Sequence, residues 1–149
     1  MTGKNAFTDE EWETISEGPP IAGFVVLTAE HGGSFRESFA LAKAYAEARQ
    51  QQGESEVLDA IVAEKPKVDR HRYGTPEKLQ TDGVEQLRQA VAALEAKGTP
   101  EDVQAYQRFV LDLARRVAEA HKEHDHAISP SEQEALDTIA AALGVQAAS

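Results

Sequence analysis

Cysteine is absent from the 149 residues of the chain. This absence excludes disulfide frameworks, thiolate zinc sites, iron–sulfur clusters and cysteine nucleophiles. The chain also lacks an apolar run of about 18 residues, the length that a membrane-spanning helix needs. Its first residues, MTGKNAFTDEEW, lack the apolar core of a secretion signal. We therefore expect a cytoplasmic protein that does not insert directly into a membrane.

Positive charge is scarce as well. The chain has 26 Asp and Glu residues against 15 Lys and Arg residues, which gives a formal net charge of -11. Such a charge repels phosphate backbones, so nucleic acid is not expected as a partner. It attracts cations and basic protein surfaces, although an acidic surface also serves solubility alone. The charge therefore either serves solubility alone or attracts a cation or a basic protein partner.

The hydrophobic pattern is helical throughout. Apolar residues recur at steps of three and four, and no segment alternates with period two for long enough to indicate a sheet. A Ser or Thr followed three residues later by an acid, as at Thr8, marks the start of a helix. Gly18, Pro19 and Pro20 should end the first helix, because proline lacks an amide donor. The predicted helices span about 8–16, 21–31, 34–52, 55–63, 82–97, 99–121 and 129–143.

These patterns predict an all-α fold, a compact single-domain bundle of about seven helices. The domain covers 1–149, with 1–7 and 145–149 expected to fray. Between the predicted helices, 64–82 reads as a long surface connection. This connection contains a cluster of basic side chains: Lys65, Lys67, Arg70, His71 and Arg72. The cluster either binds an acidic partner or neutralises acidic residues elsewhere in the domain.

A histidine cluster, HKEHDH, follows the sixth predicted helix. If that helix continues through the cluster, His121, His124 and Asp125 project over one face. Two imidazoles with one carboxylate suit zinc or nickel better than calcium or magnesium. Glu132 could reach back to such a site, but its position three residues after Ser129 also suits a capping box.

Two other interpretations of the cluster remain open. Histidines near the C-terminus of a helix interact well with its dipole, so the cluster is also typical of a polar joint between two helices. Closely placed histidines that gain charge together as the pH falls would instead make a pH-sensitive joint. The sequence therefore predicts at most one divalent metal ion and no other cofactor.

Two segments resemble each other and a known family. Each of LTAEHGGSFRESFALAKAYAEA and VAEAHKEHDHAISPSEQEALDTIAAALGV contains a helix, a polar turn and a capped helix with an early glutamate. This arrangement resembles the TerB-like family, named for tellurite resistance, and DHAISPSE is similar to the family's turn Asp-Gly-x-Ile-Ser-x-x-Glu. His126 stands where the family has its glycine. The resemblance implies a compact helical bundle in which the two segments pack together.

The resemblance also implies a function. TerB-like proteins are associated with divalent-metal binding by acidic residues near such turns, and with stress-response complexes at the cytoplasmic side of the membrane. By position, the implied ligands are Asp125 and Glu132 in the second turn, with Glu30 and Glu37 as looser counterparts in the first. The expectation is a non-enzymatic binding or scaffold protein with a protein partner.

Two alternatives to that function are a metal-free helical interaction module and a metal-dependent hydrolase that uses the histidine turn. The sequence contains no Gly-x-Ser-x-Gly elbow, phosphate-binding glycine loop or His-Glu-x-x-His motif. His31 is a poor phosphotransfer residue, because Gly32 and Gly33 break the helix that would present it. We therefore expect that the protein is not an enzyme.

Overall fold

A computed structural model describes residues 4–29, 35–51, 53, 55–64, 75–121 and 130–145. Within these ranges the chain is all-helical and contains no strand, which confirms the predicted fold class. None of the described helices is long and apolar enough to cross a membrane. A short 3-10 helix, Lys4–Ala6, is followed by six α-helices: α1 (Asp9–Ala29), α2 (Phe35–Gln50), α3 (Glu56–Ala63), α4 (Pro76–Lys97), α5 (Pro100–His121) and α6 (Pro130–Leu143).

The prediction that Gly18, Pro19 and Pro20 end the first helix is wrong. α1 runs through both prolines without a break, and the described helices therefore number six where about seven were expected. Pro19 has no amide hydrogen to donate to the carbonyl of Ile15. The hydroxyl of Tyr106 donates to that carbonyl instead, at 2.7 Å. Ile15 and Tyr106 are completely buried, so a distant side chain completes α1 inside the core.

Two glycines let α1, α4 and α5 approach closely. A Cβ atom added to Gly18 would lie 1.9 Å from the hydroxyl oxygen of Tyr106. One added to Gly83 would lie 2.8 Å from Cγ2 of Ile21. Neither position can therefore hold a side chain unless its neighbour moves.

Capping residues fix several helix starts at the predicted positions. The backbone amide of Thr8 donates to Glu11, and that of Glu11 donates to the Thr8 hydroxyl. Thr99 and Asp102 exchange the same pair of bonds at the start of α5, at 3.0 and 3.1 Å. Such reciprocal bonds satisfy amides that the first turn leaves without helical partners. The starts predicted at 34 and 129 lie outside the described residues.

The predicted surface connection at 64–82 and the predicted chain ends agree with the structure only in part. α4 begins at Pro76, after Thr75 caps it, so 76–82 is helical while 65–74 lies outside the described residues. Phe7, predicted to fray, is buried with its ring centroid 6.1 Å from that of Trp12. Gly144, at a φ of 83°, ends α6 as expected. Residues 1–3 and 146–149 lie outside the described part of the chain.

α1 runs antiparallel to α4 and parallel to α5. Glu11 accepts a hydrogen bond from Lys97 at one end of the α1–α4 pair, and Thr28 accepts one from Gln80 at the other. Along α5, Ile15 lies at Tyr106, whereas Gly23 lies between Leu113 and Val117. α1 and α5 therefore have their C-terminal ends at the same end of the bundle.

α2 and α6 both run antiparallel to α5. The rings of Tyr45 and Phe109 meet edge to face, and α2 leads to α3, which is anchored at the start of α5. Gln107 donates to the carbonyl of Leu143, so the end of α6 lies beside the first half of α5. The helices of the two resembling segments thus pack together, as expected: α1 and α2 both contact α5, and α6 contacts α1.

Candidate functional site

Four helix termini lie at one end of the bundle. α1 ends there at Ala29 and α2 begins at Phe35, while α5 ends at His121 and α6 begins at Pro130. A cavity of about 220 Å³ lies near this end. Residues of α1, α4 and α6, among them Ser131, line it. We call this end of the bundle, defined by these four helix termini, the joint end.

Three of the six predicted metal ligands belong to helix termini of the joint end. His121 is the last residue of α5, Glu37 is in the first turn of α2, and Glu132 is in the first turn of α6. Glu30, His124 and Asp125 lie outside the described residues. Among the residues described here, no group of three or more His, Asp or Glu side chains could hold a metal ion. The metal site therefore stays a prediction.

Glu132 is the predicted ligand whose side chain is best defined. It is 1% exposed, and it has an interaction partner within the fold. A buried carboxylate is costly without such a partner. Its place in the first turn of α6 suits both the capping role and the helix dipole. A metal ion would have to compete with that partner for the carboxylate.

A groove of about 410 Å³ lies between α2, α3 and α5. Apolar residues form much of its lining, and five charged side chains share it with them. The apolar residues are Ala44, Ala48, Leu58, Ala105, Phe109 and Leu111. The charged residues are Glu47, Arg108, Asp112, Arg115 and Arg116.

Arg116 of α5 connects the two sides of the groove by binding Glu47 of α2. Its Nη1 and Nη2 atoms donate to the two carboxylate oxygens of Glu47, at 2.7 and 3.2 Å, and its Nε donates to Asp112 at 2.9 Å. The hydrogen bonds from Arg116 hold the pKa of Glu47 below its ordinary value. The same bonds raise the pKa of Arg116. Such a two-pronged pair fixes geometry as well as charge.

α3 closes the groove because both of its ends are anchored. Ser55 accepts from the amide of Leu58, and its hydroxyl donates to the buried Asp102 at 2.6 Å. At the other end of α3, Arg49 donates to the carbonyl oxygens of Val62 and Glu64. These bonds hold Leu58 at the groove.

The groove was not predicted from the sequence. In α2, Ala44 is buried and Ala48 is half-buried, whereas Ala42 and Ala46 are exposed. Two spacings in the sequence indicate the groove. Small residues recur at 44 and 48, and arginines recur at 108 and 115. Which helices face each other could not be read from these spacings.

Comparison with known proteins found no matching family model, no similar curated protein and no similar solved structure.

Proposed function

We propose that the protein is a non-enzymatic, cytoplasmic binding protein of the TerB-like type that takes up one divalent metal ion at the joint end. The observation that carries the proposal is the parallel packing of α1 and α5. All six candidate ligands belong to helix ends at the joint end or to the two segments that connect those ends: Glu30, Glu37, His121, His124, Asp125 and Glu132.

The donor set favours zinc or nickel. His121 and His124 offer imidazole nitrogens, and Asp125 offers a carboxylate, a combination that suits these ions. Glu30 or Glu37 would supply a further oxygen from the first turn. An ion held by both turns would connect the α1–α2 pair to the α5–α6 pair, and its binding energy would add to the stability of the bundle. A scaffold whose rigidity depends on metal would follow from this arrangement.

Calorimetric titration of chelator-stripped protein with zinc, nickel, calcium and magnesium tests the proposal. We expect binding of one zinc or nickel ion per chain, with a dissociation constant of about 1 μM or lower, near -8 kcal/mol. The double variant His121→Ala, Asp125→Ala should lose this binding. The matched control is Asp9→Ala, Glu10→Ala, which removes two exposed acids from the far end of α1.

Two results would contradict the proposal. If none of the four ions gives a heat of binding, the histidine cluster is a polar joint between two helices. The protein would then act through protein partners without metal. Equal loss of binding in both double variants would show that general negative charge, and not the joint end, attracts the ion.

A further inference from the structure

We propose that the groove between α2, α3 and α5 binds a small organic monoanion with an apolar body, an alkyl or aryl carboxylate in chemical class. None of the residues that line it is a candidate ligand at the joint end, so this site is independent of the metal site. Three features carry the proposal: the guanidinium of Arg115 in the groove, the apolar lining and the size of the groove.

Arginine is concentrated in this groove of an acidic chain. Three guanidinium groups and two carboxylates line it, in a chain whose formal net charge is -11, and Arg108 has an interaction partner of its own within the fold. Arg116 is bound to both carboxylates, those of Glu47 and Asp112. Arg115 is half-buried, and no ion pair joins it to any residue that the structure describes. One anionic group placed at Arg115 would therefore pair with a guanidinium that the carboxylates of the groove leave without an ion pair.

The apolar lining suits the body of such a ligand. Phe109 is 9% exposed and presents an aromatic surface beside Leu58 of α3. Ala44, Ala48 and Ala105 have small side chains, which leave the space between α2 and α5 open. An alkyl chain or aromatic ring that enters this space would remove apolar surface from water on both partners.

The size of the groove favours a small molecule over a protein segment. Pockets for small ligands measure roughly 300–1,000 Å³, and the groove, at about 410 Å³, lies in this range. A stable protein interface buries about 800 Å² on each partner, which needs a surface much wider than this groove. The groove is also held in shape by the bonds of Arg116 and Ser55, so little reorganisation opposes binding.

Direct binding of decanoate to the full chain tests the proposal. We expect saturable binding of one decanoate, with amide shifts in ¹H–¹⁵N spectra concentrated at Ala44, Ala48 and Ala105. Decyltrimethylammonium, which has the same alkyl chain and the opposite charge, should not cause these shifts. Sodium chloride at the same ionic strength controls for salt effects.

Two variants assign the binding to the groove. Arg115→Gln should weaken decanoate binding by about tenfold, the loss expected from one charge-assisted hydrogen bond. Arg88→Gln, at an exposed position of α4, should leave it unchanged. Ala48→Leu should block binding because the longer side chain occupies the groove. Thermal unfolding of each variant verifies that the fold is retained.

Three outcomes would overturn the proposal. Decanoate that causes no shifts would show that the groove takes no such ligand. Equal shifts from decanoate and decyltrimethylammonium would show that the anion is not recognised. Equal affinities of Arg115→Gln and Arg88→Gln would place the ligand outside the groove. None of these outcomes bears on metal binding at the joint end, which the calorimetric titration tests by itself.

Discussion

The hydroxyl of Tyr106 and the carbonyl of Ile15 form a hydrogen bond of 2.7 Å that replaces a bond within α1. Pro19, four residues after Ile15, cannot supply the helical amide, and the site is completely buried, so water does not reach the carbonyl. The bond accounts for the carbonyl that Pro19 leaves without a helical donor in the middle of α1, a continuous helix of 21 residues. It also gives α1 and α5 a fixed register.

Tyr106→Phe should lower the free energy of unfolding by about 1–3 kcal/mol, because the Ile15 carbonyl is left buried without a donor. In a Pro19→Ala background the same substitution should cost less, since the amide of residue 19 can then donate to Ile15. Urea unfolding of the four proteins in this double-mutant cycle measures the coupling.

Tyr45→Phe is the control for that cycle, because Tyr45 is also buried but its hydroxyl does not serve α1. The decrease in the free energy of unfolding that Tyr45→Phe causes should be the same with proline or with alanine at position 19. A cost of Tyr106→Phe that is likewise independent of residue 19 would contradict the role assigned to the hydroxyl.

Gly18→Ala should destabilise the protein by about 1–3 kcal/mol, the usual cost of adding atoms to a filled core. The added Cβ would meet the Tyr106 hydroxyl at 1.9 Å, whereas the next atom of that ring is 3.2 Å away. Combining Gly18→Ala with Tyr106→Phe should therefore recover part of the loss. Gly23→Ala is the control, with its nearest neighbour 3.3 Å away, and it should cost less in thermal unfolding. Equal melting temperatures for the two alanine variants would disprove the close contact.

Ser55→Ala should cost about 1–2 kcal/mol, the upper half of the range for an N-cap, because it removes two bonds. The α3 amide of Leu58 loses its acceptor, and the buried Asp102 loses the hydroxyl that donates to it. Thr75→Ala removes an exposed cap with one bond to the α4 amide of Lys78, so it should cost less. Denaturant midpoints that rank the two variants in the opposite order would contradict the link between α3 and α5.

Glu47→Gln should make the protein less sensitive to acid. The pKa of Glu47 lies below the reference value of 4.5, chiefly because of the hydrogen bonds from Arg116. The unfolded chain therefore takes up this proton first, and the stability that the pair contributes above pH 4.5 is lost as the pH falls through the folded-state pKa. Glu47→Gln should be less stable than the parent at pH 7, with a difference that narrows below pH 4.5.

Urea midpoints measured between pH 7 and pH 3 test this expectation, and Glu95→Gln, at an exposed position of α4, controls for the loss of one carboxylate. Because Glu47 lies at the surface, the effect should be small and should shrink further in salt. A difference between Glu47→Gln and the parent that widens in acid would contradict the assigned sign.

Local chemistry predicted some helix starts, whereas tertiary contacts did not follow from the sequence. The caps at Thr8 and Thr99 need only residues three positions apart, and both helices begin where expected. The starts predicted at 21 and 82 were wrong, because α1 continues through its prolines and α4 already begins at Pro76. The continuity of α1 depends on Tyr106, which lies 91 residues away from Ile15 in the chain. The groove likewise requires α2, α3 and α5 to meet. The histidine cluster could be located from its spacing in the sequence, but the side chains that lie near it depend on tertiary structure.

The pairing of α1 with α5 also affects how the protein is made. α1 leaves the ribosome first among the six described α-helices, yet it packs mainly against α4 and α5, which are synthesised much later. Until residue 106 emerges, the Ile15 carbonyl has no donor from Tyr106, and the part of α1 that packs against α5 has no partner. Long-range contacts of this kind delay folding and expose nascent chains to aggregation. A chain that stops after α4 lacks the contacts of α1 and α2 with α5, and we therefore expect it to aggregate more readily than the full chain.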